Sequence, residues 1–148
     1  MVLNKNFLFS DLYSNCNEVL LKKHLKSGCK LAGFSAESIE YIENLVFVEM
    51  NRSYFHEPEG IFRTTQGFSM GDNAAARGSE IILRGAEFAI FNQLSRRKLL
   101  PVVKKYLRFR DDVSIHLSGD KSEMLNAIKI ISTGYPNEIL LNMETNVI

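Results

Sequence analysis

Between Tyr106 and Leu117 the chain alternates side chains on both sides of an Asp111-Asp112 pair. Leu107 and Phe109 precede the pair at a spacing of two; Val113, Ile115 and Leu117 follow it at the same spacing. A period of two is that of a strand, whose successive side chains face opposite ways. Two such runs joined by a tight turn predict an antiparallel hairpin with two carboxylates at its tip. A hairpin with apolar strands needs a wider sheet and a covering layer. The rest of the sequence offers both.

Phe7–Tyr13 is apolar and aromatic enough for a strand. Leu20, Leu21 and Leu25 mark a helix face from Glu18 to Lys26, with Gly28 as its expected stop. Ser35 can cap a second helix carrying Ile39, Ile42, Leu45 and Val46. Ser53–His56 and Ile61–Thr65 flank Glu57-Pro58-Glu59-Gly60, a turn composition, and predict another hairpin. Residues 73–94 predict a long helix with Gly78 and Gly85 inside it, where either glycine would let another group approach closely. After the Asp hairpin, Asp120-Lys-Ser-Glu123 has the spacing of a helix start. Leu125, Ile128 and Ile131 form the expected face of that helix, and Ile139–Met143 reads as a last strand. Strand, helix, Asp hairpin, helix and strand make a split β-α-β arrangement, hence an α+β fold with an antiparallel sheet and helices packed on one face.

Composition narrows the class. With 148 residues, 45% hydrophobic and 24% charged, the chain is no disordered tail, and its length suits one domain or part of one. No apolar run reaches the ~20 residues that span a bilayer. The N-terminus lacks the order of a secretory signal. The expectation is therefore an intracellular protein, cytoplasmic or nuclear, neither secreted nor membrane-bound. Cys16 and Cys29 are expected as reduced thiols, and the scattered His24, His56 and His116 supply no structural zinc site. Net charge is only +1, but its layout is uneven. Residues 51–110 carry eleven basic and five acidic side chains; residues 111–148 carry two basic and six acidic. A basic middle beside an acidic end suits a surface for a polyanion next to a site for cations.

Two segments could carry chemistry. Ionised Asp111 and Asp112 repel each other, and a hard divalent cation relieves that, since Mg²⁺ takes one or two carboxylates plus phosphate and water. Thr65-Gln66-Gly67-Phe68-Ser69-Met70-Gly71 stands directly before the long helix, where free amides and two glycines suit a phosphate or a base edge.

Taken in order, Gln66-Gly67-x-x-Met70-Gly71, a long helix, and Phe109-Arg110-Asp111-Asp112 between two strands resemble the palm of reverse transcriptases. The first is similar to that family's motif B loop, the second to its Tyr-x-Asp-Asp box. Penelope-like and related non-LTR retroelement polymerases are the nearest in flavour. Asp72-Asn73 stands where the family usually has Ser-Pro. Asp11-Leu12-Tyr13-Ser14-Asn15-Cys16 resembles the end of motif A. On that alignment Tyr13 is the aromatic that blocks a ribose 2′-hydroxyl, and the catalytic aspartate falls on Leu8, unless Asp11 fills the role in a shifted register.

The resemblance implies a ferredoxin-like palm, a single partial domain over residues 1–148, with the fingers and thumb of a longer parent polymerase missing. It implies RNA-directed DNA synthesis with Asp111, Asp112 and Asp11 as catalytic residues. Asp111 and Asp112 would be metal ligands for two Mg²⁺ ions, with Mn²⁺ as a substitute. Tyr13, Gln66, Gly67, Met70, Gly71 and Phe109 would line the site for a deoxynucleoside triphosphate. Arg63, Arg108 and Arg110 would contact phosphates of an RNA template and DNA primer. The carboxylate tip would face the glycine-bearing loop across a cleft. The chain alone would be inactive or weak. The alternative is a non-catalytic, retroelement-derived remnant that binds nucleic acid or a protein partner.

Overall fold

A computed structural model describes residues 1–50, 54–63, 67–68 and 75–144. The chain forms two compact units, one from Met1–Asp11 with Ala86–Ile148, the other from Leu12–Gly85.

The first unit holds a four-stranded antiparallel sheet. Its strands are β1 (Val2–Ser10), β4 (Val103–Phe109), β5 (Asp112–Ser118) and β6 (Leu140–Glu144), in the spatial order β4-β5-β1-β6. Numbered as the first to fourth strands of this sheet, they lie fourth, first, third, second. That is the ferredoxin-like order, so the expected α+β class holds. Phe7, Phe9, Val113, Ile115 and Leu117 are buried on one face. They share a core with Ile90 and Leu94 of α4 (Ala75–Arg96) and with Met124, Ala127 and Ile131 of α5 (Lys121–Thr133). Each of the larger side chains, Ala127 apart, contributes about 1.5–3 kcal/mol by leaving water. Asp120 starts α5 by accepting hydrogen bonds from the Ser122 N–H and hydroxyl, which hold its carboxyl below the usual range.

Some expectations change in detail. β1 starts at Val2 and ends at Ser10, because Asp11 turns into the left-handed region (φ 49°). Tyr13 therefore sits on the short helix α1 (Leu12–Asn15) and not on a strand. The buried face of α5 is Met124, Ala127, Ile130 and Ile131, while Leu125 is exposed.

In the second unit, α2 (Glu18–Leu31) runs past Gly28 and stops at Gly33 (φ 82°), where the Phe34 N–H donates back to the Cys29 carbonyl. α2 packs on α3 (Ala36–Met50) through Leu25, Cys29 and Ile39, with Ile42, Val46 and Ile81 beside them. Asn17 and Ser35 cap these helices with their side-chain oxygens. Lys22, Lys23, Lys26 and Lys30 make a solvated face, and both cysteines are free and buried. Burial pushes the Cys16 thiol up to about 12. β2 (Tyr54–Glu57) and β3 (Gly60–Arg63) form the expected hairpin. The two glycines inside α4 each admit a side chain. A Cβ at Gly78 would lie 2.0 Å from the Phe68 ring, and one at Gly85 would lie 2.3 Å from the His24 imidazole.

Candidate functional site

The β4–β5 connection is a two-residue turn, Arg110-Asp111, with Phe109 paired to Asp112 across it. Arg110 adopts φ 53°, the positive value that primed hairpin turns require at their first central position and that glycine usually supplies. Asp111 is thus the second turn residue and Asp112 the first residue of β5. The Phe9 N–H donates to the Asp111 carbonyl at 2.9 Å, which ties the turn to β1.

Register then builds a row across the uncovered face of the sheet. Asp112 pairs with Phe109 on one side and Leu8 on the other, and Leu8 pairs with Asn142. Directly opposed residues project from the same face. Asp112 is exposed, Asp111 and Leu8 are half-buried, and Phe109 is 75% exposed. A groove of about 530 Å³ lies on this face, lined by Asn6, Leu107, Phe109, Asp112 and Ser114 among others. Asp11 lies three residues beyond Leu8, exposed, past the end of the strand. Among the described residues no group of three or more His, Cys, Asp or Glu side chains is arranged to hold a metal ion.

The opposite face of the same hairpin is occupied differently. Arg108 points into the covered side, where its Nε donates to Glu87 Oε1 at 2.5 Å and its Nη2 to Oε2 at 3.4 Å. The two side chains are 7% and 15% exposed. Tyr106 and Tyr135 donate to the same Glu87 oxygen at 2.8 and 3.2 Å, and their hydroxyls meet each other. Burial, and then the neighbouring phenol and Glu87, push the Tyr106 hydroxyl far above its usual range. Burial and Glu87 push Tyr135 the same way. Arg108 Nη1 also donates to the Arg110 carbonyl at 3.3 Å, so the cluster grips the turn from behind. Sequence reasoning missed Glu87, which looks like any polar residue on a long helix.

Arg108 is therefore engaged within the protein, whereas Arg63 and Arg110 are exposed. Arg110 lies 5.9 Å from the Phe109 ring centre. In the second unit, Tyr13 and the Gly67-Phe68 segment meet. The Phe68 N–H donates to the Tyr13 carbonyl at 2.8 Å, next to Gly67 at φ 71°. Gln66, Met70 and Gly71, with the cleft expected beside them, lie outside the described residues.

Compared with known proteins, the sequence matches no protein-family model and no curated protein. Among solved structures the chain is similar to an apo telomerase from Candida tropicalis, truncated from the C-terminal domain, with a TM-score of 0.64. The two share a fold. Identity is 16%, so the likeness is one of fold alone. It covers 97% of this chain and 31% of that one, so this chain spans about a third of the telomerase's length. Among the described residues no helix is long and apolar enough to cross a membrane.

Proposed function

We propose that the chain is the palm portion of an RNA-directed DNA polymerase, of the Penelope-like or a related non-LTR retroelement type, which holds a magnesium-bound deoxynucleoside triphosphate at the Asp111-Asp112 turn. The observation that carries this reading is the Phe109–Asp112–Leu8 row on the bare face of a ferredoxin-like sheet, with Asp111 in the turn beside it. Nucleotidyl transfer asks a protein mainly to position its reactants and to neutralise phosphate charge. Asp111 and Asp112 fit one Mg²⁺ that brings phosphate and water ligands of its own. They do not fit two, because Leu8 occupies the place in the row from which a third carboxylate would reach the pair. A bound ion would polarise the phosphoryl oxygens. Phe109 offers its ring to a ribose or base, and Arg63 and Arg110 offer charge to backbone phosphates. Tyr13, held to the Gly67-Phe68 segment, is the residue for the sugar edge. Fingers and thumb, with RNA template and DNA primer between them, belong to a longer parent.

Leu8 favours a second reading, a remnant that keeps the fold and binds nucleic acid or a protein without synthesis. Two measurements separate the readings, metal binding on this chain and primer extension on the full-length parent. Mn²⁺ binding, followed by water proton relaxation, should appear in the native chain and vanish on changing Asp111→Asn with Asp112→Asn. Absence of binding in the native chain removes the nucleotide site. Extension of a DNA primer on RNA, gained or strengthened by Leu8→Asp, supports the polymerase. Metal binding without extension by the full-length parent, with or without Leu8→Asp, selects the remnant.

A further inference from the structure

From Phe88 to Arg110 the sequence has no acidic residue and seven basic ones. Two of the seven are in the turn cluster, Arg108 within the protein and Arg110 at the tip. The other five, Arg96, Arg97, Lys98, Lys104 and Lys105, are all exposed. Among the described residues, no carboxylate forms an ion pair with any of them. They gather at one end of the sheet unit. Arg96 closes α4, and the chain returns at once through a helical turn (Leu100–Val102) into β4. Leu99 and Val102 are buried and hold that return against the core.

Two backbone features show that this end is built at some cost. Lys98 takes φ 58° at the stop of α4, with the Leu99 N–H donating to the Leu94 carbonyl at 2.9 Å. Glycine is the ordinary residue for that position, and a lysine there keeps a charge where strain argues against one. The edge strand β4 also bulges at Lys104, since Val103 pairs with Leu117 and Lys105 already with His116. Cations at a helix end complement its dipole, and lysines on an edge strand block strand addition. Neither effect calls for five cations in ten residues with no acidic residue among the ten; the fold brings the Glu123 carboxylate of α5 to the return, beside Gly119 and Val102.

We infer that Arg96, Arg97, Lys98, Lys104 and Lys105 form a docking surface for the phosphate backbone of a nucleic acid. Lys105 stands four residues from Phe109, about 13 Å along the strand, so the surface is separate from the acidic turn. Five cations without an ion pair among the described residues suit a ligand with repeated charge and exceed what one phosphate needs. Two guanidiniums favour phosphate oxygens, which they meet with paired donors. A membrane surface would want a broad apolar face beside the cations. Here, among the described residues, the exposed apolar side chains next to the cations are two, Leu100 at 41% and Leu107 at 51%. The inference does not depend on metal at Asp111 and Asp112, so binding is measured in EDTA.

The test is fluorescence anisotropy of a labelled 20-nucleotide single-stranded RNA, and of the matching DNA, against the full chain over a range of salt. Changing all five residues to Gln should weaken binding at least tenfold at ~100 mM salt. The slope of log affinity on log salt should fall by about 3.5, as expected for five lost phosphate contacts on a single strand. Changing Lys22, Lys23, Lys26 and Lys30 to Gln should alter affinity less than twofold. Lys98→Gly with Lys104→Gln and Lys105→Gln is the milder variant. It relaxes the backbone and should still cost several-fold. Equal losses from the α2 changes, or none from the surface changes, overturn the inference. So does retention on phosphatidylserine vesicles that is lost in the five-residue variant while RNA binding is not.

Discussion

The two faces of the Asp hairpin use the same kinds of residue to opposite ends. On the covered face Arg108, Glu87, Tyr106 and Tyr135 leave little polar capacity unused. On the bare face Asp112 is exposed beside Phe109 and Leu8, among apolar neighbours. Burial accounts for the difference. A charge shut away from water must be matched by its own protein, and once matched it becomes part of the scaffold. A charge left at the surface beside apolar side chains stays free for a ligand. Adjacent residues on one strand, Arg108 and Phe109, thus have different work although the sequence offers both as site residues.

The largest effect is expected on the covered side. Glu87→Ala removes the carboxylate from a buried pair and leaves Arg108 and two phenols without their shared acceptor. Stability should fall by about 3–5 kcal/mol, read from urea unfolding. Glu87→Gln keeps an oxygen in place and should cost less. A loss below about 1 kcal/mol for Glu87→Ala would mean that the cluster is solvated and that the two faces differ less than their geometry says.

Neighbours on β5 give the next contrast. Ile115 is 1% exposed on the covered face, and His116 is half-buried on the other. Ile115→Ala should cost about 2–5 kcal/mol. His116→Ala should stay within about 0.5 kcal/mol. Thermal melts of the two variants, run together, test whether the register assigns the faces correctly.

High pH probes the same asymmetry. Tyr106 and Tyr135 have folded-state values raised well above the ordinary 10.0. The neutral phenols persist in the folded protein while those of the unfolded chain ionise. Above pH 10 the unfolded state therefore binds fewer protons, and stability falls as pH rises. Below pH 10 the two residues contribute no slope. In a spectroscopic titration, two of the five tyrosines should ionise only as the protein unfolds. Ionisation of Tyr106 and Tyr135 near pH 10, with the fold intact, would contradict a closed cluster.

Much of this sheet is legible in the chain. Val113, Ile115 and Leu117 alternate cleanly because one face of β5 is buried and the other is not. On β4 the same reasoning misleads about faces. Leu107 and Phe109 are the apolar set, yet they are 51% and 75% exposed, and Tyr106 and Arg108 turn inward. The partner that reverses the faces is Glu87, some twenty residues earlier on a helix, and no local pattern announces it. The face of α5 fails to read for a related reason. Met124-Ala127-Ile131 and Leu125-Ile128 are both helical stripes, and only packing in the sheet unit chooses between them. The stop at Gly33 was visible in principle, since Gly28 and Gly33 both offer left-handed freedom and only the backbone bond from Phe34 to Cys29 selects one. Of the candidate site, the Asp turn and its flanking aromatic were legible. The place of Leu8 opposite Asp112 emerges from strand register.

That place supports the smallest and most informative change. Leu8→Asp puts a third carboxylate into the row beside Asp112 and within reach of Asp111. Without metal, three carboxylates on one face repel, and a half-buried leucine gives up apolar contact, so the variant should lose about 1 kcal/mol in EDTA. A divalent ion that binds only the folded arrangement returns stability in proportion to the logarithm of its concentration. The melting temperature of Leu8→Asp should therefore rise with added Mg²⁺ or Mn²⁺, while that of the native chain rises less. In a Leu8→Asp variant that also carries Asp112→Asn, the rise should disappear. If Leu8→Asp melts at the same temperature with and without metal, the bare face is only a solvated side of the sheet, and its contrast with the covered face is one of burial without chemistry.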